Sequence, residues 1–199
     1  MAFGHSDRAA PNGRALVTVK ILVAGGFGVG KTTLVGSVSE IRPLHTEEFL
    51  TGPSEIVDNL GGVEDKTTTT VAMDFGRITI REGLCVYLFG TPGQDRFWFM
   101  WDELSTGALG AVVLADTRRL QDCFPAVDYF ENRDIPFIVA VNRFDGARRY
   151  QPDSVSEALD LDGTTPVVMC DARSRESGKE VFITLVEHAS RFYAAAPVG

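Results

Sequence analysis

The sequence predicts an α/β fold: a mostly parallel sheet with one antiparallel edge strand and helices on both faces. Three observations predict it. An apolar run from Val17 to Ala24, rich in β-branched residues, meets a glycine cluster and then a helix-forming segment, so VTVKILVAGGFGVGKTTLV reads as strand, tight loop and helix. Further on, apolar runs of strand length alternate with helical segments, and most connections are too long for hairpins, which favours parallel strands joined by crossovers. One pair of runs, VAMDFGRITI and LCVYLFG, is joined by Arg81-Glu82-Gly83 and forms the antiparallel hairpin.

Taken in order, residues 1–14 are polar, broken by Pro11 and Gly13, and read as a flexible tail before a single domain over 15–199. The first helix runs from about Lys31 to Glu40 and stops before Pro43. From Ile41 to about Thr70 the chain has no sustained period and carries Pro43, Gly52, Pro53, Gly61 and Gly62, so a long loop is expected; loops of that length are usually functional. After the hairpin, RFWFMWDEL reads as helix, LGAVVLAD as a buried strand, QDCFPAVDYFENR as helix with Pro125 in its first turns, and FIVAVN as the next strand. A short helix over Ser154–Leu159, a last strand over Pro166–Ala172 and a closing amphipathic helix over Gly178–Tyr193 complete the chain.

Composition narrows the function classes. With 199 residues, 44% hydrophobic and 23% charged, the chain suits one globular domain with a full core. A formal net charge of −8 argues against a nucleic-acid-binding face, which needs clustered Lys and Arg. Cys85, Cys123 and Cys170 lack metal-ligand spacing and read as buried, reduced thiols of a cytoplasmic protein. No apolar run is long enough to span a bilayer, and no signal-peptide core or lipidation motif is present, so no intrinsic membrane anchor is expected.

Chemistry concentrates in the first loop. Gly25, Gly30, Lys31 and Thr32 complete G-x-x-x-x-G-K-[ST], the phosphate-binding P-loop. Glycines let the backbone curl so that successive N–H groups converge on one point, and the following helix start adds its positive dipole end. Lys31 then reaches the β/γ-phosphate oxygens, and the Thr32 hydroxyl is a ligand for Mg²⁺. The nucleotide-binding run is therefore expected to be Gly25, Gly26, Phe27, Gly28, Val29, Gly30, Lys31, Thr32 and Thr33. A sheet of this kind binds ligands beyond the carboxyl ends of its strands, and the remaining signals lie at strand ends.

At Val141-Asn142-Arg143-Phe144-Asp145 the sequence resembles the Ras-like small GTPases, whose guanine-recognition motif is N-K-x-D. The resemblance implies GTP and GDP as ligands: Asp145 accepts N1–H and the 2-amino group of guanine, Asn142 holds the loops around the base, and the stem of Arg143, in place of the usual Lys, lies along the purine face. Cys170-Asp171-Ala172-Arg173 sits where that family has S-A-K, which implies that the Ala172 N–H donates to the guanine O6 beside Asp171. Gly90-Thr91-Pro92-Gly93-Gln94 looks like the D-x-x-G-Q element of the second switch, so Gly93 would offer its N–H to the γ-phosphate, and the catalytic residues would be Gln94, orienting the attacking water, and Lys31 on the phosphate oxygens. The leading Asp is Gly90 here, which leaves Thr91 or another carboxylate such as Asp74 to support Mg²⁺. Among Thr67–Thr70, the resemblance implies Thr70, with Thr69 next, as the first-switch residue on Mg²⁺ and the γ-phosphate. Phe27 stands where many relatives keep Gly and would crowd an arginine finger from a partner.

The runs TTTTVAMDFG and FGTPGQDRF together resemble the actinobacterial conservon-type G proteins, relatives of the bacterial gliding-motility and polarity GTPases. That resemblance implies a roadblock-fold regulatory partner. In Phe97-Trp98-Phe99-Met100-Trp101, helical spacing groups Phe97, Met100, Trp101 and Leu104 toward the core, and Trp98 with Phe99 would form an apolar patch for a partner that reads nucleotide state. The expected function is a switch that binds GTP/GDP with Mg²⁺ and hydrolyses GTP. The alternatives are a nucleotide-dependent binding module with negligible hydrolysis and an ATP-using P-loop kinase or ATPase.

Overall fold

The computed structural model describes residues 16–51, 68–93 and 99–195. Seven strands form one sheet in the order β2-β3-β4-β1-β5-β6-β7, from β1 Val17–Ala24, β2 Leu44–Thr51, β3 Thr68–Arg81, β4 Leu84–Gly90, β5 Ala108–Ala115, β6 Phe137–Asn142 and β7 Val167–Cys170. Strands β4, β1, β5, β6 and β7 are mutually parallel, and β3 runs antiparallel to β4. The helices are α1 Lys31–Val38, α2 Phe99–Ser105, α3 Phe124–Glu131, α4 Pro152–Ala158 and α5 Arg175–Ala195, with a 3-10 turn, Leu120–Cys123, leading into α3. The expected tail, residues 1–14, lies outside the described residues, as do Gln94, Phe97 and Trp98.

The antiparallel strand is present but is not the edge. Residues 44–51, expected within the long loop, form β2 and pair antiparallel with residues 68–75 of β3. β3 has 14 residues, and β4 pairs with its stretch from Asp74 to Arg81 on one edge. β2 lies on the edge of β3 that faces away from β4 and supplies backbone partners there along residues 68–75. LHTEEFLT carries no clean two-residue alternation that would have announced a strand.

Alternation along the central strands sends side chains to two cores. Ile21 and Val23 of β1 join Leu34 and Val35 of α1 and Phe182 and Leu185 of α5 on one face. Leu22 and Ala24 join Trp101 of α2 and Val127 and Phe130 of α3 on the other. Burial on both faces explains why these strands read as continuous apolar runs. On α5, Gly178, Val181, Phe182, Leu185, His188 and Ala189 face inward at helical spacing. At Gly178 a Cβ would stand 2.6 Å from Val38 Cγ1 and 3.0 Å from Leu34 Cδ1, so glycine sets how closely α5 approaches α1. Helix α1 ends at Val38 because Ser39 turns extended, its Oγ donating to Ile41 O and accepting the Arg77 N–H.

Candidate functional site

The carboxyl ends of β1, β5, β6 and β7 meet at one edge of the sheet, and the loops leaving them carry the predicted residues. Between β1 and α1, Gly25, Gly28 and Gly30 have φ of 129°, 72° and 106°, conformations that side chains rarely adopt. Gly30 is also pressed from outside, since a Cβ there would lie 2.7 Å from Asn142 Nδ2. The loop therefore curls as a phosphate-binding nest does, with Val29 buried beneath it and Phe27 69% exposed.

Lys31 folds back over this loop and donates to Gly25 O and Gly26 O, each at 2.8 Å. Burial lowers its pKa to about 8, partly opposed by the Asp74 charge. Gly93 lies directly above: a Cβ there would be 2.6 Å from Lys31 Nζ and 3.1 Å from Gly26 O, so a side chain at 93 would push Lys31 aside and crowd the phosphate loop. Gln94 follows, outside the described residues.

The sequence left the support for Mg²⁺ open between Thr91 and Asp74, and the geometry separates them. Thr91 is buried, with its N–H donating to Val23 O at 2.9 Å and its hydroxyl directed at the same carbonyl. Asp74 stands opposite Gly90 in the β3–β4 register and accepts the Thr32 hydroxyl at 2.6 Å through Oδ2. A Cβ at Gly90 would meet Asp74 Cβ and Oδ2 at 3.0 Å, so the carboxylate fills the space that a side chain at 90 would take. A hydroxyl and a carboxylate beside a phosphate nest are hard oxygen donors of the kind Mg²⁺ accepts. Thr70 is not brought to this pair: it belongs to β3, four residues before Asp74, a backbone separation of about 13 Å along an extended strand. Its side chain and that of Phe99 lie outside the description.

Asn142 is buried and joins two loops. Its Nδ2 donates to Val29 O and its Oδ1 accepts the Ala172 N–H, both at 3.0 Å, so the phosphate loop, β6 and β7 are fastened at one point. Arg143 is exposed while its backbone N–H holds Cys170 O. Asp145 and Asp171 both accept from Arg173. The guanidinium Nη1 and Nη2 lie 2.9 and 3.3 Å from the two Asp145 oxygens, and Nε and Nη2 lie 2.9 and 3.0 Å from the two Asp171 oxygens. This shared cation holds both carboxyls below the usual range.

Sequence reasoning passed over two arginines. Arg173 was visible only as the end of Cys170-Asp171-Ala172-Arg173, without sign that it would reach across to Asp145. Arg119, after β5, donates to Phe27 O at 3.0 Å and pairs with Asp122, buttressing the phosphate loop from outside. Nothing in its local sequence marks that contact.

A family model described as conserved hypothetical ATP binding protein matches residues 23–192. An uncharacterized protein of Methanocaldococcus jannaschii is 32% identical over 129 residues, covering 64% of this chain and 71% of that protein. Ras-related protein Rab-7b of Bos taurus is 25% identical over 194 residues, 92% of this chain and 87% of that one. Among solved structures, the G domain of the T. maritima FeoB iron transporter superposes with a TM-score of 0.61 at 21% identity, over 87% of this chain and 99% of that chain. The cytosolic domain of the same transporter in a GDP form gives 0.62 at 19%, over 88% of this chain and 65% of that one. At such identities the likeness is one of fold, and the fold is that of P-loop G domains.

Proposed function

This chain belongs to the family of conserved hypothetical ATP binding proteins, and we propose that it is a guanine-nucleotide switch. Residues 15–199 act as one G domain that binds GTP and GDP with Mg²⁺, hydrolyses GTP to GDP and phosphate, and signals through a partner protein in the cytoplasm. The observation that carries the reading is Asn142, which ties the phosphate loop at Val29 to Ala172, while Asp145, three residues on, bonds to Arg173 beside Ala172. An Asn-x-x-Asp pair in that position serves a purine with two adjacent donors, which guanine has and adenine lacks.

The phosphates lie in the Gly25–Thr33 loop under Lys31. Thr32 and Asp74 would hold the Mg²⁺. When bound, Mg²⁺ neutralises phosphate charge that the acidic chain would otherwise oppose. Lys31 balances the charge that grows on the phosphate oxygens, Gly93 offers its N–H to the γ-phosphate, and Gln94 orients the attacking water. Turnover without a partner is slow in this reading, and the exposed Phe27 ring would crowd an arginine supplied in trans, so stimulation by that route would be weak. A roadblock-fold partner, implied by the sequence resemblance, is proposed to dock beside Trp98 and Phe99.

The family's description favours a second reading, an ATP-using enzyme on the same loop. Titration of GTP, GDP and ATP with Mg²⁺ against the wild type and Asp145→Ala decides between them. Tight GTP and GDP binding that is lost in Asp145→Ala supports the guanine switch, and phosphate release then separates a GTPase from a binding module with negligible hydrolysis. ATP binding equal to or better than GTP, and indifferent to Asp145→Ala, sinks the guanine reading.

A further inference from the structure

Arg173 presents two edges of one planar guanidinium to two carboxylates. Its side edge, Nε and Nη2, is taken by Asp171, whose Oδ1 also accepts the Arg173 backbone N–H at 3.0 Å. Its end edge, Nη1 and Nη2, is donated to Oδ2 and Oδ1 of Asp145. The donor set of that end edge is N–C–N with two parallel N–H groups. The N1–H and 2-amino group of guanine, joined through C2, are the same N–C–N unit with the same two donors. A carboxylate fork receives either one, but not both in the same plane.

Resting on the guanine reading of Asp145, we propose that Arg173 is a built-in mimic of the base, which occupies the recognition edge of Asp145 in the nucleotide-free protein and is displaced when guanine enters. Two features of this chain make the device possible. The strand-end residue 171 is an aspartate, so it repels Asp145 and needs a cation between them. That cation is an arginine, whose planar fork spans two carboxylates where a lysine ammonium is a single point charge. On displacement Arg173 keeps its Asp171 contact and gives up only the end edge, so the latch swings without losing its anchor. The empty state is thereby stabilised relative to the bound one, and the consequence is weaker binding and faster release of GDP than the pocket alone would give.

The test measures association and dissociation of a fluorescent GDP analogue by stopped flow for the wild type, Arg173→Ala, Arg173→Lys and each combined with Asp145→Ala. Arg173→Ala is expected to tighten GDP about two- to fivefold, the range that exposed ion pairs command, mainly through slower release. Arg173→Lys, which keeps the charge but not the fork, is expected to behave as the alanine variant does. Either effect should vanish in the Asp145→Ala background, read at analogue concentrations high enough to restore binding through the phosphate loop alone. Weaker GDP binding in Arg173→Ala with recovery in Arg173→Lys overturns the mimic and makes Arg173 a positioning cation instead. Wild-type protein that prefers ATP and ignores Asp145→Ala fails the guanine reading itself, a result distinct from either.

Discussion

Lys31 gives the site a pH dependence whose size follows from its burial. In the free protein the ammonium is packed over the phosphate loop with a pKa lowered to about 8. Phosphate oxygens favour the charged form, so the pKa in the complex is higher than in the free protein. Binding near and below pH 7 therefore meets a lysine that is already charged, and binding above pH 8 must take up a proton. A group with a free pKa of 8 is about 90% protonated at pH 7 and about 10% at pH 9, which weakens nucleotide binding roughly tenfold across that interval, or about 1.4 kcal/mol. Calorimetric titration of GDP at pH 7, 8 and 9, in two buffers of different ionisation heat, reads both the affinity and the proton taken up. Lys31→Arg stays charged throughout, and any titration of the base itself is common to both proteins, so the difference between their slopes isolates Lys31. A wild-type affinity that is flat from pH 7 to 9, or that falls no more steeply than in Lys31→Arg, refutes the reasoning.

Other perturbations probe the supports of the site. Gly90→Asp sets a second carboxylate against Asp74, where a Cβ already meets Oδ2 at 3.0 Å; Mg²⁺-dependent retention of GDP should fall in this variant and recover when Asp74→Gly is added, as followed by Mg²⁺ titration of GDP release. Asn142→Ala removes two buried hydrogen bonds and strands Val29 O and the Ala172 N–H, with an expected cost of about 2–3 kcal/mol and a Tm lowered by roughly 5–10 °C, read by thermal and urea unfolding. Gly178→Ala places a methyl 2.6 Å from Val38 Cγ1 and should cost about 1–3 kcal/mol by overpacking, with nucleotide preference unchanged.

What was legible in the sequence was whatever consecutive residues encode. The phosphate loop is one such unit, since strand, glycines, Lys31 and Thr32 follow one another and the positive φ values at Gly25, Gly28 and Gly30 are required locally. The buried strands were legible for the same reason, and FIVAVN coincides with β6 because burial on both faces makes the whole run apolar. Asn142 and Asp145 were picked out by their resemblance to N-K-x-D, at and just beyond the end of such a strand.

Only the tertiary structure decided the contacts between distant segments. Strand β2 exists because β3, paired with β4 on one edge, offers its other edge for pairing, a demand made by β3 and not written in LHTEEFLT. Asp74 meets Thr32 across 42 residues because strand register sets it over Gly90, and the sequence could present it only as one of two alternatives. Arg173 reaches Asp145 across 28 residues because β6 and β7 are parallel neighbours whose ends open on the same edge. Local propensity and pattern determine which chemistry the chain carries, whereas register and strand order determine which of those groups come within hydrogen-bond distance of one another.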